Sequence, residues 1–220
     1  MSSSSPVPES GPTARPGFRL DLGRCVGCGA CVLACRMENE LPPEVSWRRV
    51  IQANPARLGG GPTFHLSVAC HHCLYPPCVP ACPSGALEKR NDGLVMLDPE
   101  LCLGCRYCEM ACPFGAPSMD PGRGVMTKCH LCHHRLEEGL APACVEACPT
   151  RALLFGADGE AEDSTGVRFL PGPELPGFGD PAGAVPGFRM AEPGGDLRLR
   201  WFREVKALLK DSEEGSHDPA

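Results

Sequence analysis

Aromatic residues are scarce in this chain: 5% of 220 residues, with two Trp, two Tyr and eight Phe. A core built from stacked rings is thereby excluded, and Gly and Pro, at 26 and 25 residues, thin the supply of space-filling side chains further. Also missing is a long apolar run. No stretch approaches the ~20 residues of a membrane span. Met1 to Pro16 (MSSSSPVPESGPTARP) holds no apolar segment of the kind a secretory signal needs, so independent export is not expected. GGGP at Gly59 to Pro62 lacks the Lys and Ser/Thr of a phosphate loop and reads as a flexible turn. The Arg48-Arg49 pair is internal and followed by VIQANPARL, so it reads as surface charge and not as a twin-arginine signal.

What the chain has instead is cysteine, 16 residues in four groups of four. Group one is Cys25, Cys28, Cys31 and Cys35; group two is Cys70, Cys73, Cys78 and Cys82. Group three is Cys102, Cys105, Cys108 and Cys112; group four is Cys129, Cys132, Cys144 and Cys148. Every group opens C-x2-C and closes C-x3-C, and only the middle gap varies: two residues in groups one and three, four in group two, eleven in group four. A surface loop tolerates such lengthening while the ligands at its ends keep their places. Pro83, Pro113 and Pro149 follow the last cysteine of their groups, and Arg36 takes that place in group one.

The spacing carries chemistry. Three cysteines two residues apart wrap a compact loop around one inorganic cube, and C-x2-C-x2-C-x3-C-P is the run found in bacterial ferredoxins, whose fourth cysteine ligates the other cluster of a pair. Sixteen cysteines then supply four [4Fe-4S] clusters with no ligand left over. Zinc is the competing reading, since two C-x2-C pairs build a four-thiolate site, but zinc needs neither the third cysteine nor the C-P. Disulfides fit poorly with so regular a spacing in a chain of this length. Ahead of three cysteine loops stand alternating apolar runs, FRLDLGRC (Phe18 to Cys25), FHLSVAC (Phe64 to Cys70) and GLVMLDPELC (Gly93 to Cys102), each predicting a half-buried strand. The repeating unit is strand, cluster loop, short helix. The fold class expected is α+β, with metal binding coupled to folding.

The text around the cysteines resembles a known family. PEVSWRRV (Pro43 to Val50), CPSGALEKRNDGLV (Cys82 to Val95), CLGCRYCEMACPFGAP (Cys102 to Pro117), MTKC (Met126 to Cys129) and CVEACPTRALLFG (Cys144 to Gly156) are similar to the four-cluster electron-transfer subunit of the molybdopterin oxidoreductases. Within that family the resemblance is to the iron-sulfur subunit of dimethyl sulfoxide reductase. It implies two interlaced bacterial-ferredoxin-like modules, residues 17–63 with 126–155 (groups one and four) and residues 64–125 (groups two and three). It further implies four ligand sets: Cys25, Cys28, Cys31 and Cys148; Cys35, Cys129, Cys132 and Cys144; Cys70, Cys73, Cys78 and Cys112; Cys82, Cys102, Cys105 and Cys108. The role implied is one-electron relay without catalytic residues, between a quinol-oxidising membrane anchor and a molybdopterin catalytic subunit. The chain would be membrane-associated through those partners, on a side left open. Formate dehydrogenase, polysulfide or thiosulfate reductase, nitrite reductase and hydrogenase complexes carry equivalent subunits. A zinc-stabilised interaction scaffold is the reading from another class.

The net charge of −6 becomes about −14 once sixteen thiolates and four oxidised cluster cores are counted. Cations beside the cysteines should therefore matter, and Arg106 and Lys128, each next to a cysteine, are the candidates for tuning the clusters; ordinary surface charge is the alternative. His71, His72, His130, His133 and His134 lie inside cysteine groups, but the thiols suffice as ligands, so hydrogen bonding or surface placement is expected of them. Trp47 either fills a gap in a thin core or docks a partner, with gap filling favoured. Residues 1–16 and 211–220 read as disordered tails and 156–196 as an irregular Gly/Pro-rich strap. LRLRWFREVKALLK (Leu197 to Lys210) reads as an amphipathic helix that packs on the core, on a partner subunit or on a membrane.

Overall fold

A computed structural model describes residues 16–53, 63–157, 169–171, 184 and 186–191. The expected 197–210 helix, the C-terminal tail, the N-terminal tail before Pro16, the turn at 59–62 and most of the strap lie outside the described residues.

Among the described residues the fold is α+β, with short helices and four small sheets. Strand β1 (Pro16–Asp21) follows the alternating run and is buried along nearly its whole length, because it lies inside a four-stranded sheet. It ends where Asp21 turns the chain: its carboxylate accepts the N–H groups of Gly23 (2.8 Å) and Arg24 (3.2 Å), which delivers Cys25 to the head of the first loop. Helix α1 (Ala30–Glu38) follows, then β2 (Arg49–Ala53), which pairs antiparallel with β3 (Phe64–Val68). Hairpin β4 (Leu87–Lys89) with β5 (Val95–Leu97) comes next, then α2 (Tyr107–Ala111) and hairpin β6 (Ser118–Asp120) with β7 (Val125–Thr127). The expected strand at 93–102 is held to three residues because Asp98 folds back on the Glu100 N–H (2.9 Å) just before Pro99. Helices α3 (His133–Glu137) and α4 (Ala143–Glu146) lead to β8 (Leu153–Ala157), which pairs antiparallel with β1.

The expectation of an irregular C-terminal extension is corrected over part of its length. Strand β10 (Phe188–Ala191) lies parallel to β1, with β9 (Phe169–Pro171) antiparallel beyond it, giving the sheet order β8-β1-β10-β9. Phe188, Met190 and Ala191 are buried, so the extension closes the core that β1 opens.

Among the described residues two hydrophobic clusters result. The larger joins Phe18, Leu20, Phe64 and Phe188 to Cys31, Cys35, Cys70, Cys129 and Cys144; the smaller joins Leu87, Val95 and Met126 to Cys78 and Cys108. Nine of the sixteen cysteines are buried, so thiols occupy the interior that aromatic rings would fill elsewhere.

Candidate metal centre

All four cysteine groups open on the same backbone turn. The third residue of each C-x2-C is left-handed: Gly27 (φ 73°), His72 (φ 44°), Gly104 (φ 66°) and Leu131 (φ 59°). Glycine takes this shape freely, and space also demands it, since a Cβ on Gly27 would overlap the His65 ring and one on Gly104 the Gly124 carbonyl. His72 and Leu131 hold the shape at a cost of about 1 kcal/mol or more each. The turn aims backbone N–H groups at sulfur: Leu131 donates to Cys129 Sγ (3.4 Å), Gly104 to Cys102 Sγ (3.5 Å), and Gly27 to the Cys25 sulfur. Such converging N–H groups form the concavity in which anionic cages sit.

The far ends of the groups repeat too. After Cys82, Cys112 and Cys148 come proline and then a left-handed residue, Gly85 (φ 70°), Gly115 (φ 57°) or Arg151 (φ 51°). Ala116 N–H then donates to Cys112 Sγ (3.5 Å) and Leu153 N–H to Cys148 Sγ (3.5 Å). Burial raises the Cys82 thiol pKa, but the Ser84 hydroxyl and the N–H groups of Leu87, Ser84 and Ala86 outweigh it and hold the value below that of an ordinary thiol. Group one departs from this pattern. Without proline, α1 runs on through Cys35 to Glu38, and the Asn39 side-chain amide donates to the Cys35 carbonyl (2.8 Å) with Cys35 Sγ at 3.9 Å.

All sixteen cysteines lie among the described residues, and none forms a disulfide. One pocket is lined by Cys25, Cys28, Cys31 and, from the far end of the cysteine region, Cys148. Cys35 is pushed up to about 12 by burial and then by the nearby charges of Cys144, Cys132 and Cys31. Burial and the charges of Cys70, Cys112 and Cys78 likewise push Cys73 to about 12, and burial with Cys102, Cys82 and Cys105 pushes Cys108 to about 11. Other thiols also bear on one another through their charges: Cys31 on Cys35, Cys70 on Cys129, and Cys108 on Cys78.

The cations sort differently from expectation. Arg106 is exposed and paired with the Glu109 carboxylate at 2.7 Å, so its charge is met locally. Lys128 is buried, its ammonium donating to the carbonyls of Val95 and Cys129 and bearing on the Cys78 thiol. Arg48, read from sequence as surface charge, is 1% exposed, which corrects that reading. Arg49, the next residue, faces outward and donates to the Phe114 and Gly115 carbonyls, while Arg48 turns inward over the Phe18 ring (4.1 Å) and donates to Ser67 Oγ (2.9 Å). The charges acting on Arg48 are Cys144, Cys129, Cys31 and Cys35. His71 packs against Phe114 (4.4 Å) and Phe188 (4.9 Å), and His72 Nδ1 accepts the Val95 N–H (2.9 Å). Trp47 fills a gap, its indole N–H on Thr127 Oγ1 (2.9 Å) and its ring on His130.

Known protein families match the segments that carry these cysteines. The 4Fe-4S dicluster domain family matches residues 63–158 and the 4Fe-4S binding domain family residues 18–38, which together take in all sixteen cysteines. The protein is 46% identical over 157 residues to the B subunit of anaerobic dimethyl sulfoxide reductase from Escherichia coli (strain K12), covering 66% of this sequence and 74% of that protein. The chain belongs to the family of dimethyl sulfoxide reductase-type iron-sulfur subunits. YnfG of the same bacterium, a probable anaerobic dimethyl sulfoxide reductase subunit, is 44% identical over 168 residues (70% of this sequence, 80% of the relative). The thiosulfate reductase electron transfer subunit PhsB of Salmonella typhi is 41% identical over 145 residues (64% and 76%).

This iron-sulfur subunit binds [4Fe-4S] clusters, and its interior fits them. Arg48 Nε and Nη2 are fully enclosed and meet no protein acceptor, while the nearest charges are thiolates; cluster and thiolate sulfurs are the acceptors such a guanidinium needs. Among the described residues no helix is long and apolar enough to cross a membrane.

Proposed function

We propose that this electron-transfer subunit relays single electrons along four [4Fe-4S] clusters held by two interlaced ferredoxin-like modules. The observation that carries the reading is the set of thiols around one pocket, where Cys148 of group four joins Cys25, Cys28 and Cys31 of group one. By the same logic Cys35 joins Cys129, Cys132 and Cys144; Cys112 joins Cys70, Cys73 and Cys78; and Cys82 joins Cys102, Cys105 and Cys108. The mutual influence of Cys31 with Cys35, Cys70 with Cys129 and Cys78 with Cys108 supports that linear order for the four sets. The module borders fall at shared hairpins, β2 with β3 and β6 with β7, which would brace one module against the other.

A bound [4Fe-4S] cluster takes up and gives back one electron. The chain's own residues set how readily. Backbone N–H groups on sulfur and the buried cations Arg48 and Lys128 offset thiolate charge, and burial of nine cysteines keeps water from the middle of the relay. Only Cys28 and Cys105, one in each terminal set, are exposed. Near them in the sequence are exposed apolar side chains, Val26, Leu33 and Met37 beside Cys28 and Leu103, Tyr107 and Met110 beside Cys105. Electrons enter and leave at those two ends, through a molybdopterin catalytic subunit and a quinol-oxidising membrane anchor that also ties the chain to the membrane. Reduction of dimethyl sulfoxide or a similar small acceptor is the complex's reaction on this reading.

Anaerobic affinity purification from the native host, with metal analysis and mass spectrometry of co-purifying chains, tests it. About sixteen irons per chain, with molybdenum and a large pterin-binding subunit, is the expected result. Iron without molybdenum or such a subunit sinks the reductase assignment. Cys148→Ser and Cys35→Ser should alter the EPR signals of two different clusters; identical changes would contradict the crossed ligand sets.

A further inference from the structure

Three histidines are threaded between Cys129 and Cys132 and the start of α3, and the cluster reading uses none of them. The chain passes through two consecutive left-handed residues, Leu131 (φ 59°) and Cys132 (φ 49°), before α3 begins at His133. That path folds His130 back against the helix. One ring nitrogen from each of His130, His133 and His134 then lies within 4.8 Å of the others.

The spacing suits an ion. His130 Nδ1 and His133 Nδ1 stand 3.4 Å apart, the edge of a tetrahedron whose centre lies about 2.0–2.1 Å from each corner, as in zinc-imidazole bonding. The rings are held from outside. Trp47 meets the edge of His130 at 5.0 Å and is anchored through its indole N–H. Glu38 Oε1 lies 2.8 Å from His134 Nε2, and Arg135 fixes the other carboxylate oxygen at 3.1 Å. A carboxylate on one imidazole nitrogen sets the proton there and frees the opposite lone pair, the usual outer support of a metal-bound histidine. All three histidines are partly accessible, so an ion can reach them.

We propose that His130, His133 and His134 form a binding site for one divalent transition ion, zinc by the nitrogen donor set and the spacing of the His130 and His133 nitrogens. Three imidazoles leave a fourth position for water or for a partner's side chain. The site is separate from the thiols in its ligands but adjoins them in the chain, since His130 and His133 directly follow Cys129 and Cys132. The ion's positive charge there raises the midpoint potential of the cluster these cysteines hold.

The test uses the cluster-loaded chain, purified anaerobically so that its thiols are already engaged. It is titrated with Zn²⁺, desalted, and assayed for zinc and iron together. One zinc per chain above an unchanged iron content is expected. His133→Asn and His134→Gln should each weaken uptake at least about tenfold, and Glu38→Gln about tenfold, with iron content and EPR line shapes preserved. His130 is left intact because it packs on Trp47. No zinc uptake, equal uptake by the variants, or uptake matched by iron loss would each overturn the proposal. Iron content by itself reports on the cluster reading, so the two readings fail separately.

Discussion

Replacing Arg48 by Gln removes a full positive charge from a place that water does not reach. Arg48 Nη1 lies 2.9 Å from Ser67 Oγ, and Ser67 Oγ lies 3.3 Å from Cys31 Sγ. The guanidinium is therefore within about 6 Å of the Cys31 sulfur, a ligand in the proposed sets, where one unit charge acts on another by about 2.7 kcal/mol at an effective dielectric constant of about 20. Spreading the transferred electron over the cluster lengthens the mean distance and brings the effect to about 2 kcal/mol, or about 90 mV for a one-electron couple. The sign follows from charge: the reduced cluster is the more negative form, so losing the cation lowers the midpoint. An EPR-monitored redox titration of the assembled complex should show at least one midpoint fall by about that amount in Arg48→Gln and stay close to wild type in Arg48→Lys. Midpoints unmoved in Arg48→Gln, with all clusters present, would refute the argument. An equal fall in Arg48→Lys would show that geometry and not charge is responsible.

Three further outcomes are expected. Gly104→Ala meets both a left-handed φ and the Gly124 carbonyl, whereas Gly29→Ala meets only the φ and open space; the first should cost about 2–3 kcal/mol and the second about 1, read as faster iron loss to a chelator. In the reduced, metal-free chain, burial raises Cys35, Cys73 and Cys78 to about 12, above the ordinary thiol value of 9.0. Their contribution to stability is whole below about pH 9 and lost as pH climbs toward 12, so circular dichroism should report loss of residual structure in that window while the loaded chain, whose thiols carry no protons, stays flat. Met37→Glu and Met110→Glu place charge on side chains 71% and 74% exposed, which the proposed relay puts at its two ends, and each should release a different co-purifying subunit without iron loss; retention of every partner in both variants would remove these surfaces from the docking account.

Local spacing made the metal chemistry legible, because a C-x2-C turn and its left-handed third residue are matters of four consecutive residues. The structure shows one turn repeated in all four groups, even where His72 and Leu131 stand in the place that glycine holds elsewhere. The missing proline after Cys35 was also a readable signal: with Arg36 there, nothing stops α1, and the helix continues to Glu38. Which thiols share a pocket is another kind of question. Cys148 meets Cys25 only because β8 pairs with β1 and α4 packs beside α1, and no spacing within a group encodes that; family resemblance alone proposed it.

The misread residues fail for a related reason. Arg48 and Arg49 are chemically identical neighbours at the start of an extended strand, where successive side chains point to opposite faces, so one must be turned toward the thiols and the other away. Sequence supplies the alternation but not its phase. The phase is set by Ser67 and Phe18, which arrive from β3 and β1 to receive the guanidinium. Likewise FRMA at 188–191 is too short and too enclosed by Gly and Pro to register as a strand, yet β1 has an edge whose buried backbone groups require a partner, and β10 provides it. A chain with so few aromatic rings closes its core with whatever the tertiary fold brings: thiols, a buried arginine, and a strand from its own far end.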